Sequence, residues 1–146
     1  MRLMRRPSAP AQLIFARACD EAAQISFALD VEHIVLAVTA MGSALDEYVT
    51  AEDVRDLIEL RERDALAHLG ISLDSVRDEL DEALAEPCDL PITPEAKRMF
   101  ELAARRRSFV TPDQMLATLL HNSERARRFL FELGVPVGTL QERLRR

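Results

Sequence analysis

The sequence predicts an all-α protein of about eight helices, and three observations carry that prediction. Apolar residues recur at helical spacing along nearly the whole chain. No segment alternates apolar and polar residues for long enough to make a strand. Thr-Pro-acid starts and Leu-Gly stops punctuate the pattern where helices should begin and end.

The elements follow in order. A first helix is read over 9–24, where Phe15, Ala18, Cys19 and Ala22 fall on one face. Asp30 can cap a second over 31–41, with Ile34, Ala37, Val38 and Met41 inward. A third over 51–69 opens on a Thr50–Asp53 capping box and stops at Gly70. Its apolar face is Val54, Leu57, Ile58, Ala65 and Leu69, and charged residues fill most of the rest. A fourth is expected over 73–85, followed by a linker over 86–92 that holds two prolines. The fifth, over 94–107, starts on Thr93 as cap, Pro94 and Glu95, and presents Ala96, Met99, Phe100 and Ala103. Thr111-Pro112-Asp113-Gln114 repeats that start and adds a box residue for the sixth, over 112–121. The seventh, over 124–133, buries Ala126, Phe129, Leu130 and Leu133 and stops at Gly134. The eighth runs over 137–145.

Composition narrows the function. The chain has 146 residues, 48% hydrophobic and 30% charged, which is the balance of one soluble globular domain. Aromatic residues are 5% with no Trp, and the net charge is −6, so neither base stacking nor phosphate neutralisation is favoured and no nucleic-acid partner is expected. With four glycines and no GxxxxGK[ST], there is no ATP loop. Cys19 and Cys88 belong to no CxxC or His/Cys cluster, and Cys19 is expected as a buried thiol. His68 with Asp64, and His121 with Glu124, each lack a third ligand, so neither a metal nor any other cofactor is expected. The basic start, Met1 to Pro7, has no apolar core after it and is no secretory signal. No stretch is apolar enough to span a membrane, so the cytoplasm is the expected location. Nothing in the spacing makes Glu32, His33 and Asp20 or Glu21 converge as a catalytic set.

The two sides of the 86–92 linker resemble each other. Leu69-Gly70-Ile71 and Leu133-Gly134-Val135 each precede an amphipathic helix that ends in Leu. Val31 to Val38 matches Pro112 to Leu119, an acid at the second position preceding large apolar residues. Ser8-Ala9-Pro10-Ala11 corresponds to Thr93-Pro94-Glu95-Ala96. The expectation is a single domain over 1–146 made of two pseudo-symmetric four-helix repeats, about 8–85 and 93–145, each too apolar on one side to fold alone. The repeats are unequal: 31 residues separate Val38 from Leu69 but 14 separate Leu119 from Leu133, a surplus of 17 placed at about 42–58. The first half is the more acidic and the second is basic, through Arg105 to Arg107, Arg125, Arg127, Arg128, Arg143, Arg145 and Arg146, which hints at docking.

The order of these pieces, with Glu32-His33-Ile34-Val35-Leu36-Ala37 and Ile92-Thr93-Pro94-Glu95-Ala96-Lys97-Arg98 the most specific, resembles the Clp amino-terminal repeat domain that opens Clp-type AAA+ unfoldases. The resemblance runs from about Ser8 to Leu144. It implies a non-catalytic module that binds adaptor proteins and substrate segments, standing alone here without the ATPase modules. In some members of that family a Glu and a helix-capping hydroxyl form a pocket for phosphorylated arginine, one pocket per repeat. By resemblance Glu32 with Ser8 makes the first pocket and Asp113 with Thr93 the second. A carboxylate can hold a guanidinium while helix N-terminal amides hold the phosphate. The chain departs from the family at Asp113-Gln114 in place of Glu-His, at Val31, at Ser8 in place of Thr, and at the surplus segment.

The expected function is therefore protein or peptide binding. The partner is a Clp AAA+ ATPase or its substrates, and the chain acts as an adaptor, competitor or decoy. Two alternatives stand beside it: sequestration of a cyclic peptide antibiotic, and a regulatory helical domain that has lost its peptide pockets.

Overall fold

The structure is a computed structural model and describes residues 9–26, 28–68, 70, 90–106 and 110–145. Among these, seven α-helices follow one another: α1 (Ala9–Ile25), α2 (Val31–Met41), α3 (Ala51–Ala67), α4 (Pro94–Arg106), α5 (Pro112–Asn122), α6 (Glu124–Glu132) and α7 (Val137–Arg145). The expected helix over 73–85, Cys88 and most of the expected linker lie outside the described residues. A short 3-10 helix, Ala44–Glu47, joins α2 to α3. The fold is all-α, with an isolated parallel bridge between Leu29 and Ile92.

The helix starts form where local hydrogen bonds dictate them. Asp30 accepts from the Val31 N–H at 2.7 Å, Thr50 and Asp53 exchange bonds at 3.1 Å, and Thr111 with Gln114 does the same. Thr93 Oγ1 accepts from the Ala96 N–H at 3.2 Å and so caps α4. The Thr50–Asp53 and Thr111–Gln114 boxes are those expected from the sequence.

The core is built around α2 and α5. Val31, Ile34, Val35, Leu36, Ala37 and Val38 of α2 are fully buried, as are Met115, Leu116 and Leu119 of α5. α2 packs against α1, α3, α4, α5 and α6, which is why its polar face is almost absent. Phe129 and Leu130 of α6 and Met99 of α4 close the core, and Phe15 meets Phe100 edge-on at 5.3 Å between ring centres. Cys19 is buried on α1 as expected.

Two features read from the sequence gain detail in the structure. Among the described residues of the α3 stripe only Val54 and Ile58 are fully buried, and Ala65 is exposed because the second half of the helix leaves the core and forms a cavity wall; Leu69 lies outside the described residues. The charge asymmetry is spent partly inside the molecule. Arg125 pairs with Asp30 and Glu32, and Arg143 pairs with Glu47, so basic residues late in the chain meet acids early in it.

Candidate binding site

Backbone bonds bring two helix starts together. Leu29 N–H donates to the Pro91 carbonyl at 2.8 Å, and Thr93 N–H donates to the Leu29 carbonyl at 2.9 Å. This staple sets the N-terminus of α2 beside that of α4, and the Thr93 hydroxyl donates to Asp30 Oδ1 at 3.0 Å. Both positive dipole ends therefore face one place.

That place is a cavity of about 410 Å³. Asp30, Glu32 and His33 line it from α2 and its cap, Thr93 from the start of α4, and Arg125 from the start of α6. Ile58, Arg61, Glu62 and Ala65 of α3 form the opposite wall. The acids are already engaged. Arg125 Nη2 lies 2.6 Å from Asp30 Oδ2 and 3.4 Å from Glu32 Oε1. Arg61 Nη1 lies 3.6 Å from Glu32 Oε1, while the same guanidinium pairs with Glu132 and stands 5.0 Å from the centre of the Phe129 ring.

Burial, with the Asp30 charge beside it, holds the Glu32 carboxyl above the usual range despite Arg125 and Arg61. Arg125 is held above its ordinary value: burial opposes its charge, and Glu32 and Asp30 outweigh that. His33 packs locally and faces Ser26 and Asp30 rather than offering a free ring nitrogen.

The residues singled out from the sequence are placed as follows. Glu32 and Thr93 line the same cavity, although the resemblance put them in separate pockets. Asp113 is engaged elsewhere: its Oδ1 accepts from the Ala44 N–H at 2.8 Å, capping the 3-10 helix. Ser8 lies outside the described residues. Arg61 and Arg125 carry no signal in the sequence that would tie them to Glu32, since Arg125 lies 93 residues away. Asp30 is legible only as a cap. A second cavity of about 190 Å³ lies between α5 and α7, against Leu120, His121 and Gln141, with no acid among its described lining residues. Among the described residues no three His, Cys, Asp or Glu side chains are grouped to hold a metal, and no helix is long and apolar enough to cross a membrane.

These helices, in this order, have the fold of a Clp amino-terminal domain. The chain is similar to the solved N-terminal domain of the caseinolytic protease associated chaperone ClpD from Arabidopsis thaliana, with a TM-score of 0.66, 19% identity, and coverage of 98% of this chain and 94% of that one. No protein-family profile matches the sequence, and no curated protein matches it.

Proposed function

We propose that the chain is a non-catalytic protein- or peptide-binding module that takes a guanidinium-bearing ligand, phosphoarginine on a protein or peptide, at the Glu32 cavity. The observation that carries this reading is that Asp30 and Glu32 hold guanidinium groups there, between two helix starts. The α2 and α4 N-termini offer the phosphate backbone donors, the Thr93 hydroxyl joins them only by giving up Asp30 Oδ1, and Arg125 offers it a charge. Ser8 belongs to this proposal through the family resemblance alone. Asp113 belongs to it through the family resemblance as well, with its Oδ1 already accepting from the Ala44 N–H.

In a Clp-dependent proteolytic system such a module acts as adaptor, competitor or decoy. Titration of a phosphoarginine peptide by calorimetry into wild type and Glu32→Gln tests the ligand: wild type binds and the variant loses at least tenfold in affinity. No binding by wild type overturns it. The role in proteolysis is tested by adding the chain to a Clp ATPase–protease degrading a phosphoarginine-marked substrate. An unchanged degradation rate rules out adaptor, competitor and decoy together.

A second reading has its own support. The chain's own groups stand on both candidate acids, Arg61 and Arg125 on Glu32 and the Ala44 N–H on Asp113, as expected of a regulatory domain whose pockets are closed.

A further inference from the structure

We propose that Arg61 is an internal competitor for the guanidinium position on Glu32, so that a ligand displaces it efficiently only by bringing an anion of its own. This rests on the guanidinium-binding reading of the cavity.

The contact is built to be broken. Arg61 Nη1 lies 3.6 Å from Glu32 Oε1, an ion pair too long for a hydrogen bond. The same side chain has two other partners, the Phe129 ring and Glu132, neither of them a described lining residue of the cavity. Releasing Glu32 therefore leaves Arg61 seated. Arg125 differs, because its shorter contact is to Asp30 at 2.6 Å, so Asp30 keeps it when Glu32 is taken. Arg61 reaches the cavity from α3, whereas Asp30, Glu32 and Thr93 line it from the two helix starts.

Charge then sets the selectivity. A plain guanidinium on Glu32 stands beside two arginines, each of which has given up one of its two acids. A guanidinium bearing a phosphate gives those arginines a new partner and uses the donors at the helix starts. The site therefore rejects arginine and takes phosphoarginine because of a residue on its far wall.

The test titrates phosphoarginine and N-acetyl-argininamide into wild type, Arg61→Gln and Arg61→Lys, each checked for folding by circular dichroism. Gln keeps an apolar stem against Phe129, and Lys keeps the charge. Wild type prefers phosphoarginine. Arg61→Gln binds the amide roughly two- to five-fold tighter, the range of a partly exposed ion pair, and gains nothing for phosphoarginine, so the preference narrows. Arg61→Lys retains it. An unchanged preference in Arg61→Gln, with wild type still binding phosphoarginine, overturns the competitor and leaves the binding reading standing. Failure of every protein to bind phosphoarginine overturns both. Binding by Arg61→Gln alone keeps Arg61 as the occupant and removes ligand binding from the wild type.

Discussion

At His33 a single protonation state is fixed by donors and acceptors. The Asp30 N–H can only donate, so Nδ1 accepts at 2.9 Å and the ring proton sits on Nε2, which donates to Ser26 Oγ at 2.7 Å. Burial pushes the pKa from 6.5 down to about 4, against the opposing pull of the Asp30 and Glu21 carboxylates. The folded state thus binds fewer protons than the unfolded chain between these values. Stability is complete above about 6.5 and is lost as pH falls toward about 4, a contribution on the order of 3 kcal/mol. Thermal melts from pH 7.5 to 4.5 should show a falling Tm, and His33→Gln, which suits the third position of a capping box, should flatten that slope. An equal slope in the variant would remove His33 as the cause. Glu32 makes the opposite case. Its neighbours have other partners, Asp30 for Arg125 and Glu132 for Arg61, so Glu32→Gln should change stability by no more than about 1 kcal/mol. A larger shift in urea unfolding would make Glu32 structural rather than ligand-binding. Because its carboxyl is held above the usual range, ligand binding should begin to fail on acidification earlier than an ordinary Glu would allow. In the sequence, Asp30 could be read as a cap because its bond is local. Its place in a four-member charge cluster could not, because the other half of that cluster comes from α3 and α6.

At the scale of the element, starts and stops were legible for the same reason. The end of α6 is the clearest. Gly134 has φ +83°, its N–H donates to the Phe131 carbonyl at 3.0 Å, and the Val135 N–H donates to the Leu130 carbonyl at 3.0 Å, a complete Schellman motif. An added Cβ would meet nothing within 4 Å, so the cost of Gly134→Ala is that of the backbone alone, about 1 kcal/mol. A chemical melt checks this, and an unchanged midpoint would show the turn relaxing. α3 was legible in length but not in role. Its periodicity puts apolar residues on one face, yet charge also holds the helix, with Arg55 on the buried Glu21 and, beyond Ile58, Arg61 on Glu32 and Glu132. Apolar spacing reports which face is inward and is silent about where an ion pair replaces packing. The residues expected as an insertion over 42–58 become the 3-10 helix and the start of α3.

Over the whole molecule, the buried apolar side chains form one cluster drawn from every described helix, with α2 against α5 at its centre. A segment of about 60 residues buries only about 60% of its unfolded surface, and either side of this core taken alone would expose its partner face. Segments 1–85 and 90–146, expressed separately, should therefore show no cooperative thermal transition by circular dichroism, whereas the full chain should. A sharp melt in either would mean that half folds by itself. The net charge of −6 likewise describes the whole poorly, since two late arginines, Arg125 and Arg143, are committed to early acids. The staple at Leu29 has a kinetic meaning as well. Asp30 and Thr93 stand 63 residues apart, so their contact is a non-local closure that forms only after both sides have docked. The cavity does not exist in a partly folded chain. Any ligand seated there binds the native state alone, and at a concentration of a hundred times its Kd it would raise the free energy of unfolding by about 2.7 kcal/mol. Occupancy of the site would then act as a clamp on the folded state, slowing every route to degradation that begins with global opening.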